Sequence, residues 1–311
     1  MRLIMTVILI FLLAGCGYYS SKENKEENQR TTKNSTIEKT NEEMPAVERF
    51  SPLRSYKKDV NVLLLGVDSR GESSSRSDTI MLAKYEPLNK TVKLVSLMRD
   101  SYVTIPGYNK SKLNHAYFYG GDKLVKDTIE RNFNIKIDHV ALIDFQGFIE
   151  VVNLLAPEGL KLDVSKPMMK DLHISGEPGM RVLKGQQLLD YVRFRHDAKS
   201  DFGRVERQQD VMISLKEEAV ETLGSFEGVV KLPEILTEVS NHMVTDIILK
   251  DYLTLGATFI LNPVSKVETL RVPVENSYTN KYTKHAGEVL NMDIQRNKDA
   301  IHKFLSNEGI E

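Results

Sequence analysis

The chain has 311 residues, with 42 Lys and Arg against 43 Asp and Glu, a formal net charge of −1. That balance gives no overall electrostatic pull toward nucleic acid, so no nucleic-acid partner is expected, while a local arginine cluster can still hold an anionic ligand. Hydrophobic residues at 41% and charged residues at 27% suit a globular chain with a real core, while a single cysteine, Cys16, excludes an intrachain disulfide or a cysteine metal cluster.

Arg2 precedes an apolar run over residues 3–13 that ends in Leu13-Ala14-Gly15-Cys16. The run is shorter than the about 20 apolar residues of a spanning helix and has small residues where a signal peptidase cuts, so residues 1–16 read as an export signal. The Leu-Ala-Gly-Cys tetrapeptide resembles the bacterial lipobox, which implies lipidation at Cys16 and a lipid-anchored protein on the extracytoplasmic face of the cell membrane. A single N-terminal transmembrane anchor is the alternative. Residues 17–50, rich in Lys, Glu, Asn, Ser and Thr, have the composition of a disordered polar linker, leaving 51–311 as the folded domain.

Residues 60–67, Val-Asn-Val-Leu-Leu-Leu-Gly-Val, form a nearly continuous apolar run, as expected of a central strand covered on both faces. The runs 79–85 and 91–97, separated by Glu86-Pro87-Leu88-Asn89-Lys90, predict an antiparallel hairpin. If the first strand also joins the second through a short loop, the end of strand one, the start of strand two and the end of strand three share one sheet edge. Asp68, Arg76, Asp78, Arg99 and Asp100 then converge there. Further along, the pattern predicts a helix over 121–133, a strand over 137–145 and a helix over 146–155. Longer helical stretches follow around 185–195, 202–223 and 286–305. Alternation of the two types gives an α/β class with helical covering layers.

There is no Walker A loop, Gly-x-Ser-x-Gly elbow, His-Glu-x-x-His pair or Gly-x-Gly-x-x-Gly fingerprint, which weakens nucleotide hydrolysis and zinc proteolysis. What remains is arginine. Tyr191-Val192-Arg193-Phe194-Arg195-His196 is followed by Asp201-Phe202-Gly203-Arg204-Val205-Glu206-Arg207-Gln208-Gln209. On a helix beginning near Asp201, with that side chain as its cap, Arg204, Arg207, Gln208 and Val211 share one face, and arginines near a helix N-terminus suit phosphate oxygens. The alternative is a solvated helix face on which Arg207 pairs with Asp210 and Arg193 or Arg195 with loop acids.

Gly66-Val67-Asp68, Arg76-Ser77-Asp78-Thr79, Ser96-Leu97-Met98-Arg99-Asp100, Lys112 to Tyr117, Tyr191 to His196 and Asp201 to Gln209 together resemble the LytR–CpsA–Psr family in order and content. The resemblance is good over about 60–215 and looser beyond. It implies a three-layer α/β/α fold with a central mixed sheet. It also implies transfer of a glycopolymer, such as a teichoic acid or capsular chain, from an undecaprenyl-pyrophosphate carrier to peptidoglycan. In that reading Asp68 and Asp78 hold magnesium, or manganese in its place, and Arg76, Arg99, Arg193, Arg195, Arg204, Arg207 and Gln208 surround the pyrophosphate. Arg99, Asp100, Asp68 and Asp78 make up the catalytic set, Asp100 orienting Arg99 or joining its polar network, and an aspartate near the metal acts as base. Magnesium held by one or two carboxylates plus substrate phosphates, with arginines around, is the chemistry that pyrophosphate cleavage requires. A non-catalytic polyprenyl-pyrophosphate binder and a pyrophosphate hydrolase are the alternatives.

Two features depart from the family: Met98 stands where proline commonly precedes Arg-Asp, and a lipid on Cys16 is expected in place of the transmembrane helix that most relatives use. His115 is expected to be a hydrogen-bonded structural group rather than a base. The apolar runs 140–155 and 211–230 could line a polyprenyl tunnel, although core packing accounts for them equally well.

Overall fold

The computed structural model describes residues 58–67, 77–224, 243–247, 255 and 264–306. The export signal, Cys16 and the linker lie outside the described residues, as do Asp68, Arg76 and part of the 211–230 run. Among the described residues no helix is long and apolar enough to cross a membrane.

The first half runs β1 (Val60–Val67), β2 (Ser77–Glu86), β3 (Thr91–Leu97), β4 (Tyr102–Val103), β5 (Ser111–Lys112), α1 (His115–Phe133), β6 (His139–Asp144) and α2 (Phe145–Leu155). The second half runs β7 (Leu160–Val164), α3 (Lys166–Asp171), β8 (Gly179–Leu183), α4 (Gly185–Arg193), α5 (Ser200–Gly224), β9 (Met243–Thr245), β10 (Lys266–Val272), β11 (Tyr278–Thr283), β12 (Gly287–Met292) and α6 (Ile294–Leu305).

One six-stranded sheet, ordered β10-β3-β2-β1-β6-β9, organises the domain. β1–β2, β2–β3 and β6–β9 are antiparallel, whereas β1–β6 and β10–β3 are parallel, so the sheet is mixed. The predicted hairpin is present, and β1 does join β2 antiparallel.

The alternation of strand side chains divides the core in two. Val62 and Leu64 of β1, Met81 and Ala83 of β2 and Leu94 of β3 face one layer, with α2, α4, α5 and the β7–β8 hairpin over them. Leu63 and Leu65, Ile80 and Leu82, and Val95 and Leu97 face the other, under α1 and α6. Both faces are therefore covered, which is why β1 reads as an apolar run rather than an alternating one. Each fully buried leucine contributes about 2 kcal/mol of transfer free energy. At the far end of the sheet, Lys84 and Lys93 donate to the Leu305 and Phe304 carbonyls, satisfying groups that the end of α6 leaves open.

Three expectations need correction. The stretch 286–305 is a strand followed by a helix. Ala286, Val289 and Leu290 mimic helical spacing, but Gly287 turns the chain at φ 69° and residues 287–292 pair with β11. Asp293, whose carboxylate accepts from the Arg296 backbone N–H at 3.0 Å, starts α6 only there. The helix predicted over 121–133 begins earlier, at His115, and kinks at Gly120 and Gly121. Finally, Asp201 lies inside the first turn of α5 rather than capping it.

Candidate active site

The C-terminal ends of β1 and β3 and the start of β2 meet at one sheet edge, as their antiparallel order requires. Beyond β3 the chain turns sharply, Ser101 N–H donating to the Met98 carbonyl at 3.0 Å, and the two central residues of that turn are Arg99 and Asp100. Its base is fixed. The Met98 backbone N–H donates to the Val272 carbonyl at 2.8 Å, a bond that proline could not make, and the Asn114 N–H donates to the Arg99 carbonyl at 3.1 Å. The segment after β5 thus buttresses Arg99 from behind. His115 is part of that support, its Nδ1 lying 2.9 Å from Ser111 Oγ.

α5 arrives over the same edge, where Gln209 Nε2 donates to Ser96 Oγ at 2.9 Å. Arg204 and Arg207 are only 4% and 5% exposed, which excludes a solvated helix face. Their partners differ. Arg204 Nη2 donates to Asp201 at 2.9 Å and Nη1 lies 4.0 Å from Asp78. Arg99 bonds Asp78 through Nη1 and has Nε at 3.4 Å from Asp201 and 3.6 Å from Asp100. Arg195 Nη1 lies 3.4 Å from Asp201, and Lys112 Nζ bonds Asp100 at 2.6 Å. Four cations thereby meet three carboxylates.

Arg207 is engaged elsewhere: it bonds Asp197 at 2.7 Å and the Phe194 carbonyl, and its guanidinium lies 5.0 Å from the Phe194 ring centroid. Its partner is Asp197 rather than Asp210, and the pair ties the loop carrying Arg195 to α5. Gly203 permits the approach, since a Cβ there would sit 3.0 Å from Asp197 Oδ2 and 3.1 Å from Arg207 Nη1. Arg193 is exposed and packs its guanidinium 4.5 Å from the Phe145 ring centroid. Of the predicted residues that are described, Asp78, Arg99, Asp100, Arg195 and Arg204 form one contact network, and Arg193, Arg207 and Gln208 flank it.

Asp201, foreseen only as a cap, is the acid shared by three arginines. Its i, i+3 spacing to Arg204 was the available signal. Lys112 was visible only as the first residue of the Lys112 to Tyr117 motif, because its partner Asp100 is brought to it by the β4–β5 pairing.

The electrostatics are uneven. At Arg99 burial acts downward, but Asp201, Asp78 and Asp100 outweigh it and the guanidinium is held above its ordinary value. At Arg204 burial first, then the neighbouring Arg99 charge, push it down to about 10 despite Asp201 and Asp78. Arg204 stays charged at neutral pH, yet its Nε is buried without a hydrogen-bond partner among the described residues. A group in that condition favours an added anion.

An apolar cavity of about 90 Å³ opens on one side of the network, between the sheet and helices α2, α4 and α5. Leu64, Met81, Ile143, Phe148 and Val211 line it, Gln208 adds an amide, and Thr79, one residue from Asp78, borders it with its cross-strand partner Gly66. On the other side lies a polar groove of about 520 Å³ bounded by Arg99, Asp100, Asp201 and the β11–β12 hairpin.

No group of three or more His, Cys, Asp or Glu side chains suited to a metal occurs among the described residues. The contacts of Asp78 there all fall on Oδ1, leaving Oδ2 for a hard cation. That oxygen fits magnesium completed by a second carboxylate, phosphate oxygens and water, which needs no protein cage.

The chain is 40% identical over 246 residues to Regulatory protein MsrR of Staphylococcus aureus, covering 79% of this chain and 74% of that protein. It is 37% identical over 221 residues to the polyisoprenyl-teichoic acid–peptidoglycan teichoic acid transferase TagU of Enterococcus faecalis, covering 70% and 71%. Its fold matches that of the LytR-CPS2A-psr family protein YwtF (TagT) with bound octaprenyl pyrophosphate lipid at a TM-score of 0.59 and 25% identity, over 83% of this chain and 94% of that one. With a family match that runs over residues 15–301, the chain belongs to the LytR–CpsA–Psr (LytR_cpsA_psr) family.

Proposed function

We propose that this protein is a phosphotransferase that moves an anionic glycopolymer from an undecaprenyl-pyrophosphate carrier to peptidoglycan, forming a phosphodiester link. The observation that carries the reading is the junction itself: an apolar cavity whose lining suits the start of a polyprenyl chain reaches Thr79, next to Asp78 and an arginine cluster suited to a pyrophosphate. Octaprenyl pyrophosphate in the structure of TagT and the transferase name of TagU support it.

In this reading the lipid tail lies along Leu64, Met81, Ile143 and Phe148, and the pyrophosphate oxygens take donors from Arg99, Arg195 and Arg204. Arg76 adds a further donor, Arg193 and Gln208 flank the passage from cavity to cluster, and Arg207 holds the Arg195 loop in place. Fixed donors aimed at the oxygens that gain charge stabilise the transition state, and phosphoryl transfer asks little more of a protein. An acceptor hydroxyl oxygen bonds the phosphorus next to the glycopolymer, and the bridging P–O bond to the lipid phosphate breaks. The hydroxyl proton passes to an aspartate of the set Asp68, Asp78 and Asp100, and the lipid phosphate departs along the cavity. Asp68 and Asp78 would hold magnesium, or manganese in its place, which supplies additional positive charge at the phosphate oxygens.

The reading is tested by titrating the full-length protein in magnesium with octaprenyl pyrophosphate and octaprenyl monophosphate. The expected outcome is at least about a tenfold preference for the pyrophosphate, the effect of losing one well-paired phosphate from an arginine cluster. Equal affinity would contradict the assignment of the arginines. The regulatory name of the S. aureus relative fits this reading as an indirect effect on gene expression.

A further inference from the structure

The polar groove has a wall that the donor reading does not use. Cross-strand pairing puts Tyr278 opposite Met292, Asn280 opposite Leu290 and Tyr282 opposite Glu288, so these six share one face of the β11–β12 hairpin. The inner part of that face packs on the body: Leu290 clusters with Met98 and Val205, and the Tyr278 ring stacks on Phe202 at 5.4 Å. The outer part continues as Asn280, Tyr282 and Glu288 along the groove whose opposite side holds Arg99 and Asp201. Tyr282 is 75% exposed although it shares the inward-packing face. Asn280, Tyr282 and Glu288 have no side-chain hydrogen bond, ion pair or ring contact among the described residues. The cations opposite them, by contrast, are paired with Asp100 and Asp201.

We propose that this groove binds the acceptor glycan strand, with Tyr282 as the platform for a sugar face and Asn280 and Glu288 as hydrogen-bond partners for hydroxyl and acetamido groups. The assignment rests on the transferase reading and adds to it the position of the second substrate. A flat aromatic ring with a polar tip, flanked by an amide and a carboxylate, matches a sugar's apolar face and polar rim. The volume, about 520 Å³, admits more than one sugar unit. Placement decides between partners: the apolar cavity and the polar groove approach the same Arg99–Asp78 pair from two sides, as a lipid donor and a hydrophilic acceptor must. The hairpin is also tied to the catalytic turn, since the Leu290 N–H donates to the Asp100 carbonyl at 2.9 Å. A strand seated on it is thereby indexed against Arg99.

The test uses full-length protein, a synthetic lipid-pyrophosphate disaccharide as donor and a soluble uncrosslinked peptidoglycan glycan oligomer as acceptor. Tyr282→Ala and Glu288→Gln, both on exposed side chains, should each raise the acceptor KM by about tenfold and leave the donor KM within about twofold. Unchanged acceptor KM in both variants overturns the proposal, and so does a rise confined to the donor KM, which would assign the groove to the donor's own sugars. If the wild type transfers nothing, the transferase reading fails separately, and calorimetric titration with the glycan oligomer decides for the groove. Binding weakened by Tyr282→Ala upholds it, whereas equal binding, or none to the wild type, overturns it.

Discussion

Arg99 and Arg204 sit side by side over the same acids and are served unequally by them. Arg99 has the compensating charge, and Arg204, 4% exposed, is lowered to about 10. A fall of that size corresponds to a cost on the order of 3 kcal/mol for keeping the charge there. Arg204→Met should therefore leave the ligand-free protein with an unchanged or higher Tm while removing most of the Tm gain that octaprenyl pyrophosphate gives the wild type. A large fall in ligand-free Tm would show that Arg204 supports the fold instead. Arg99→Ala should lower the transfer rate by about 10² or more, the usual effect of removing a donor to developing charge. Its circular dichroism spectrum should stay that of wild type, because the turn that presents Arg99 is held by main-chain bonds at Met98, Ser101 and Asn114. For Asp78→Ala, magnesium titration should show a weaker dependence of rate on the ion, and a wild-type titration curve would remove Asp78 from the metal site.

Elements hold these side chains in register, and the second half of the chain shows how. Asn297 of α6 is fully buried: it accepts from the Val274 backbone N–H at 2.8 Å and donates to Ser277 Oγ at 2.9 Å and the Asp293 carbonyl at 2.8 Å. This amide anchors the turn from β10 into β11, hence the groove wall. Asn297→Leu should cost about 2–3 kcal/mol by stranding buried polar partners, measured as a shift of the urea unfolding midpoint. None of this was legible beforehand. The first three strands were, because β1 is covered on both faces and Pro87 with Asn89 marks the hairpin turn. From β1 joining β2 antiparallel, the shared edge with Asp78, Arg99 and Asp100 followed. The β11–β12 hairpin was hidden by Ala286, Val289 and Leu290, whose spacing imitates a helix face, and β10 by the long sequence separation from its partner β3. Asp201 was assigned to the wrong task for a related reason: an acid at the start of a helix reads locally as a cap, while its three arginines arrive from two other elements and its own helix.

At the scale of the whole molecule, the mixed sheet makes one edge serve two faces. The apolar cavity opens beneath α2, α4 and α5, the polar groove opens toward β11 and β12, and Arg99 stands between them. In the proposed reaction a carrier lipid would approach from one direction and a glycan from another. Such an arrangement suits a protein held at the membrane surface. With residues 1–16 acting as a lipoprotein export signal, as proposed, Cys16→Ala should release the protein into the medium in a fractionation experiment, and full retention in the membrane would favour a transmembrane anchor over a lipid. Transfer across that edge is what separates a transferase from a protein that only binds the lipid. The most direct measurement incubates the full-length protein with a synthetic lipid-pyrophosphate-sugar and oligomeric peptidoglycan, with and without magnesium, and follows the sugar by mass spectrometry. The predicted result is sugar phosphate attached to the glycan only when magnesium is present. Saturable lipid binding with no attached product, while an active relative works in parallel, would contradict it.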